Sequence, residues 1–176
     1  MDIANWITKH TKGATSVVDL GAGWCDKLIA VDDNCHRRYA IEIFEHYLTH
    51  RKFRHCVPIC HDLLDFETVL RRYAIEPVVV MMIDALEHLK KADAVDLLTR
   101  LKTRFRRILV MTPEGMHPQD GDPTGYGNEH QKHLSIWYAR DLELQGFQVQ
   151  IDPTYHTQGH NHSDCGALFA IWDREY

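Results

Sequence analysis

The sequence predicts an open, doubly wound α/β domain, and three observations carry that reading. Four apolar runs, Ser16–Leu20, Tyr39–Ile43, Val78–Ile83 and Arg107–Met111, recur along the chain and end at glycine, at an acid or at Thr112-Pro113. Continuous runs of this kind suit strands buried on both faces, as in parallel sheets. Helix-patterned segments alternate with them, which implies right-handed crossovers. The length, 176 residues and 20.5 kDa, matches one domain spanning residues 1–176.

Each remaining element has a local reason. Cys56–Cys60 is a further short run, and Pro58, unable to donate to a ladder, places it at a sheet edge. Helices are expected over Glu45–Arg54, over Phe66–Tyr73 with Val69, Leu70 and Tyr73 on one face, and over Asp93–Phe105. In the last of these Asp93 caps, Asp96 lies in the first turn, and Leu97, Leu98, Leu101 and Phe105 form a stripe. Arg104, Arg106 and Arg107 then complement the negative C-terminal end of that helix. Residues 113–133 hold three prolines and four glycines and read as a long loop. A loop of ~20 residues inside a compact domain is more often functional than a neutral connector. Leu134–Gln145 reads as a helix stopped by Gly146. Phe147–Ile151 alternates as a half-exposed strand, and Ala167–Trp172 reads as a more buried one. Residues 152–166 leave no room for a crossover helix, so these two strands should form an antiparallel hairpin.

Composition excludes several classes. The hydrophobic fraction is 44%, the charged fraction 26% and the net charge −5, the profile of a soluble globular protein with no nucleic-acid-coating surface. The five cysteines include no CxxC pair and read as reduced thiols, which suggests a cytoplasmic protein. No secretory signal is visible, and the longest apolar stretch, Pro77 to Ile83, is far short of the roughly 20 residues that span a bilayer.

Chemistry is expected where the first strand meets Gly21-Ala22-Gly23. Glycines spaced this way allow a tight turn and a close backbone approach to a ligand. Glu42 follows Asp19 by 42 − 19 = 23 positions, close to the spacing of an acid that binds ribose hydroxyls. The third glycine of a dinucleotide fingerprint is replaced by Asp26, and Asp19 and Asp26 would repel a pyrophosphate. A nucleoside ligand carrying positive charge near Asp19 fits better. The structural alternative is that Asp19 and Asp84 cap strand ends and that the glycines make an ordinary turn.

In chain order, Val17-Val18-Asp19-Leu20-Gly21-Ala22-Gly23, Glu42, His61-Asp62-Leu63 and Ile83-Asp84-Ala85-Leu86-Glu87-His88-Leu89 resemble the class I S-adenosylmethionine-dependent methyltransferases. Thr112-Pro113, His133-Leu134-Ser135-Ile136-Trp137, Asp141-Leu142 and Gly146-Phe147 extend the likeness over roughly residues 15–172. The resemblance implies a Rossmann-like sheet of order 3-2-1-4-5-7-6 with strand 7 antiparallel, and S-adenosyl-L-methionine as cofactor. It implies that Gly21, Ala22 and Gly23 pass under the methionine part, with Asp19 near its amino group. Glu42 would take both ribose hydroxyls, Ile43 would touch the adenine face, and Asp62 would accept from the adenine amino group beside Leu63. Asp84, Ala85 and His88 would lie next to the sulfonium. The family usually has a third glycine where Cys25 stands here, at what reads as a helix start.

The implied reaction is methyl transfer to an oxygen or nitrogen of a small molecule. The alternative is a non-catalytic cofactor-binding or regulatory module, which Cys25 and the absence of an appended substrate domain favour. Without such a domain, the acceptor must be recognised by rim loops or by a protein partner. A base for the acceptor would be His88, with His133 second; each could instead be a packing residue. Of thirteen histidines, His10, His36, His46, His50 and His55 read as surface. The 113–133 loop and the hairpin loop, with His156, His160 and His162, should face each other over the pocket. These three, with Glu129 or Asp164, have metal-ligand chemistry but match no firm zinc spacing, and no metal is assigned. Asp84-Ala85-Leu86-Glu87 differs from the Asn/Asp-Pro-Pro-aromatic segment of base-modifying members, so nucleic acid is not the expected substrate.

Overall fold

The computed structural model describes residues 1–76, 78–155 and 165–174. Its centre is a sheet of seven strands: β1 (Ser16–Leu20), β2 (Arg37–Glu42), β3 (Val57–Cys60), β4 (Val79–Ile83), β5 (Arg107–Pro113), β6 (Gln148–Asp152) and β7 (Ala167–Asp173). The order is β3-β2-β1-β4-β5-β7-β6. Strands β1 to β5 run parallel, whereas β7 is antiparallel to both β5 and β6. Every residue of β1 and β4 is buried, as their unbroken apolar runs require. Pro58 sits on β3, the edge strand beyond β2.

Alternation along the strands feeds two apolar layers. On one face Val18, Leu20, Ile41, Val80, Met82, Ile108 and Val110 pack with Phe66, Val69 and Leu70 of α3 (Phe66–Arg72). Leu97, Leu98 and Leu101 of α4 (Lys91–Arg104) complete that layer with Phe105. On the other face Val17, Ala40, Met81, Leu109 and Phe169 meet Trp6 and Ile7 of α1 (Ile3–Thr11). Burying each Leu or Phe stabilises the fold by about 1.5–3 kcal/mol relative to exposure, so these layers rather than helix propensity hold the helices in place.

The structure corrects several expected boundaries. Helix α1 was not anticipated. Asp2 caps it by accepting from the N–H groups of Ala4 and Asn5 at 2.9 and 3.3 Å. Helix α2 is Glu45–Thr49 and stops short of Arg54, because the chain turns and the Lys52 N–H donates to the Trp24 carbonyl at 2.8 Å. Tyr73 is the C-cap of α3 and is exposed, so it leaves the face shared by Val69 and Leu70. Helix α4 starts earlier than expected, with Lys90 rather than Asp93 at the cap, and Asp93 falls in its first turn. Arg107 does not close α4. It begins β5 and pairs with Asp173 across the β5–β7 ladder at 2.5 Å.

The expected helix Leu134–Gln145 shrinks to α5, Ala139–Glu143. Residues 134–137 are drawn out of it by other partners. The Leu134 and Ser135 N–H groups donate to the Glu87 carbonyl at 2.8 and 3.1 Å, and the Gly115 N–H donates to the Trp137 carbonyl at 2.7 Å. Helix α5 then opens where the Asp141 carboxylate accepts the Tyr138 N–H at 2.9 Å. No α-helix starts at Cys25 either. That residue holds φ 59°, and only a short 3-10 turn follows at Lys27–Ala30.

Candidate active site

A cavity of about 460 Å³ opens at the carboxyl ends of β1, β2 and β4. Its floor is the glycine turn. Gly21 has φ +75°, and a Cβ there would stand 2.7 Å from the Ala85 Cβ, so both conformation and space demand glycine. That absence of a side chain lets the turn after β1 lie against the turn after β4. Gly23, at φ +49°, aims its N–H at Glu42 Oε2, 2.9 Å away. The other oxygen of Glu42 accepts the Phe44 N–H at 2.9 Å. Glu42 thus ties β2 to the glycine turn while each of its oxygens keeps further acceptor capacity.

Asp19 lies beneath this turn, 1% exposed, and its Oδ2 has no hydrogen-bond partner among the described residues. Burial first, then the nearby charges of Asp26 and Glu42, hold its carboxyl well above the usual carboxylate range, against the opposing pull of Lys27. A buried carboxylate with an unpartnered oxygen is costly, and either a proton or a cation bound in the cavity relieves that cost. Six acids, Asp19, Asp26, Glu42, Asp62, Asp84 and Asp93, line the cavity against two lysines, Lys27 and Lys90. Low-dielectric walls focus such a field, so the cavity attracts cations and repels phosphates.

At the far end stand Asp84, Ala85 and His88. Asp84 has φ 51° and donates its N–H to the Met111 carbonyl at 3.0 Å. Its carboxyl is open to the cavity but enclosed by protein on its other sides, and that enclosure pushes it up to about 6. Glu87 is buried behind it and accepts a 2.8 Å hydrogen bond from Thr112 Oγ1. Burial, then Asp84, pushes Glu87 up to about 8. His88 Nδ1 faces the Lys132 carbonyl at 3.2 Å, an acceptor only, so Nδ1 carries the proton and Nε2 keeps a lone pair. Burial, then His133, pulls His88 down to about 4, which leaves it neutral near pH 7.

All ten residues expected at the cofactor, Asp19, Gly21, Ala22, Gly23, Glu42, Ile43, Asp62, Leu63, Asp84 and Ala85, line this one cavity, together with His88. Asp62 also caps the following turn by accepting the Leu64 N–H at 2.9 Å. His133 is not on the wall. It stands behind His88, ring centroids 4.8 Å apart, with its Nδ1 donating to the His117 carbonyl. His61 faces away and pairs with Asp65 at 3.0 Å. Glu87, His88 and His133 each bring one ligand atom within 4.8 Å of the others, a set able to hold a divalent cation. His156, His160, His162 and Asp164 lie outside the described residues.

The 113–133 loop does cover the cavity, through Thr124, His130 and Gln131. Asp122 organises it, accepting the N–H groups of Thr124 and Asn128 at 2.8 and 3.0 Å. Tyr47 Oη and Thr124 Oγ1, 3.1 Å apart, fasten it to α2. Around that clasp Trp24 packs on Tyr47 at 4.4 Å, and His46 on Tyr126 at 4.5 Å. His46 therefore belongs to an aromatic group beside the cavity rather than to a bare surface. Sequence reasoning missed this group, and it also missed Lys27 and Glu87. The signals present were Trp24 inside the glycine turn and the acid preceding His88.

The sheet order, the antiparallel β7 and the carboxyl-end cavity together define the fold of class I S-adenosylmethionine-dependent methyltransferases. Solved structures share it. The N-terminal domain of EvdMO1 with SAH bound superposes with a TM-score of 0.65 at 17% identity, covering 99% of this chain and 82% of that one. The small RNA methyltransferase HEN1 gives 0.64 at 11%, covering 98% of this chain and 28% of its own. Magnesium protoporphyrin IX methyltransferase (ChlM) from Synechocystis PCC 6803 with bound SAM gives 0.59 at 14%, covering 96% and 76%. No protein-family model matches the chain, and no curated protein matches it in sequence. Among the described residues no helix is long and apolar enough to cross a membrane.

Proposed function

We propose that this protein binds S-adenosyl-L-methionine in the cavity and transfers its methyl group to an oxygen or nitrogen of a small molecule. The observation that carries the reading is Asp19: a buried carboxylate with an unpartnered oxygen, at the base of a cavity whose acids outnumber its lysines six to two. S-adenosylmethionine is a nucleoside with a sulfonium and an ammonium, the charge type this field selects. Asp19 would receive the ammonium, Glu42 the ribose hydroxyls, Ile43 and Leu63 the adenine faces, and Asp62 the adenine amino group. The bound cofactor supplies an activated methyl group, and the protein supplies orientation.

With its Nδ1–H held by the Lys132 carbonyl, His88 would take the proton of the acceptor at Nε2. The His133 ring, edge-on to His88 with centroids 4.8 Å apart, would hold the imidazole in place. A small acceptor is favoured because the 113–133 loop narrows the cavity and because its acidic lining opposes a phosphate backbone. HEN1, a small RNA methyltransferase, and ChlM, a magnesium protoporphyrin IX methyltransferase, carry this fold to different acceptors, so the acceptor must be read from this chain's own walls. Cysteines without a CxxC pair support a cytoplasmic setting.

Titration calorimetry with S-adenosylmethionine and S-adenosylhomocysteine is the direct test. Binding of both is expected, and binding of neither overturns the reading. Binding without methyl transfer across a broad panel of metabolites would favour the non-catalytic module instead.

A further inference from the structure

Three side chains with metal-ligand chemistry converge beside the far end of the cavity. The short turn after β4 carries Glu87 and His88, and the chain that leaves the 113–133 loop carries His133. The backbone joins these two segments. The N–H groups of Leu134 and Ser135 both donate to the Glu87 carbonyl, at 2.8 and 3.1 Å. His133, one residue earlier, is thereby set against the turn, its ring centroid 4.8 Å from that of His88. One ligand atom from each of Glu87, His88 and His133 lies within 4.8 Å of the other two.

Each of the three is also held from behind. His88 Nδ1 donates to the Lys132 carbonyl at 3.2 Å, and His133 Nδ1 donates to the His117 carbonyl. Both rings are therefore fixed in the same tautomer, with the lone pair on Nε2. Glu87 is 3% exposed, and one of its oxygens accepts from Thr112 Oγ1 at 2.8 Å, which leaves the other to act as a ligand. Imidazoles anchored through their second nitrogen, beside a carboxylate anchored through its second oxygen, are how proteins orient the ligands of a metal ion. Two imidazole lone pairs and a carboxylate brought this close repel one another unless a proton or a cation lies among them.

We propose that Glu87, His88 and His133 bind a divalent first-row transition-metal ion, and that this ion holds the methyl acceptor through a hydroxyl oxygen. The second half of the proposal rests on the reading of the cavity given above and narrows its acceptor atom from oxygen or nitrogen to oxygen. Two imidazoles select an ion such as Mn²⁺, Co²⁺ or Zn²⁺ over Mg²⁺ or Ca²⁺, which favour oxygen ligands throughout. Metal–ligand distances of about 2.0–2.2 Å require the three side chains to draw in by small rotations. Three protein ligands leave the ion an open position for substrate. His88 lines the cavity, whereas Glu87 and His133 stand behind its wall, so the open position is the one that meets the cavity beside His88.

In the loaded site His88 serves as a ligand, and the ion takes over from it the activation of the acceptor. A hydroxyl bound to a divalent cation loses its proton far more readily than a free one. The proton passes to water, and the oxygen attacks the methyl carbon of the sulfonium. The O–C bond forms as the S–C bond breaks, and the electron pair of that bond stays on sulfur, which becomes a neutral thioether.

The test strips the full chain with a chelator and titrates it with Co²⁺ alone, followed by calorimetry and visible absorption. Binding of one equivalent is expected, with the absorption bands of cobalt held by imidazole. Removing the outer partner in Thr112→Val should lower Co²⁺ affinity by about 10–100-fold, and removing a ligand in Glu87→Gln or His133→Ala at least as much. Glu87→Gln keeps the shape of the side chain, and far-ultraviolet circular dichroism equal to that of the parent checks that each variant is folded. Binding no tighter than about 1 mM, or binding that the folded variants leave unchanged, overturns the site. Methyl transfer to hydroxyl acceptors at the same rate with and without the ion overturns its role in the reaction and leaves His88 as the base. A protein that binds Co²⁺ but neither S-adenosylmethionine nor S-adenosylhomocysteine refutes the cavity reading and with it that role, while the cobalt spectrum still decides the metal site.

Discussion

Replacing Gly21 by alanine perturbs two quantities that the structure separates. The residue holds φ +75°, and its new Cβ would stand 2.7 Å from the Ala85 Cβ. The backbone part costs about 1–2 kcal/mol for an L residue in the left-handed region. The clash adds about 1–3 kcal/mol, typical of overpacking a filled site. Gly21→Ala should therefore lose about 2–5 kcal/mol, measured by urea denaturation of the ligand-free protein. Adding Ala85→Gly removes the atom that is struck, and Ala85, at φ −133°, tolerates glycine with little backbone strain. The double variant should recover the packing part and leave the φ part, a coupling of about 1–3 kcal/mol in a double-mutant cycle. A loss below about 1 kcal/mol for Gly21→Ala would refute the argument, as would a cycle showing no coupling.

Three further outcomes follow from the cavity. Glu42→Ala should weaken S-adenosylmethionine binding by about tenfold or more and lower stability by about 1–3 kcal/mol, because the N–H groups of Gly23 and Phe44 lose a charged acceptor; unchanged affinity in calorimetry would place the ribose elsewhere. Asp19→Asn should weaken cofactor binding while ligand-free stability holds or rises, since it removes a buried acid with an unpartnered oxygen; a large stability loss in thermal denaturation would show Asp19 to be structural. Glu87 has a folded pKa raised from 4.5 to about 8, so its stabilising contribution is complete below about pH 4.5 and is lost as pH rises through about 8. Relative to Glu87→Gln, the parent protein should lose stability between pH 5 and pH 8, and equal differences at both pH values would contradict the burial argument.

The parallel half of the fold was legible because β1 and β4 are buried along their whole length and so carry unbroken apolar runs. The cavity-lining residues were legible for a related reason: many sit at the ends of those runs, where a glycine or an acid interrupts the apolar pattern. Boundaries set by distant partners were not legible. Leu134–Trp137 has helix-compatible composition, yet its N–H and C=O groups bond to Glu87 and Gly115, far away in sequence. Helix α1 was missed because only Trp6, Ile7 and Thr11 of its nine residues are buried, too few to show a period. His133 is the second candidate base by residue type and position in the chain. The structure sets it behind His88, a distinction of depth that no spacing encodes. Glu87 was hidden in the same way, since an acid next to an acid-rich helix start looks solvated until Thr112 is found against it.

The left-handed backbone of Asp84 limits what substitution can teach about it. Aspartate, asparagine and glycine enter that region readily, and other residues do so at a cost of about 1–2 kcal/mol. An alanine scan would therefore report the posture of the chain at the end of β4 together with the charge it carries. Asparagine keeps the posture and removes only the charge. Comparing Asp84→Asn with Asp84→Ala therefore separates the electrostatic role of this carboxyl from the conformation in which the chain leaves the sheet.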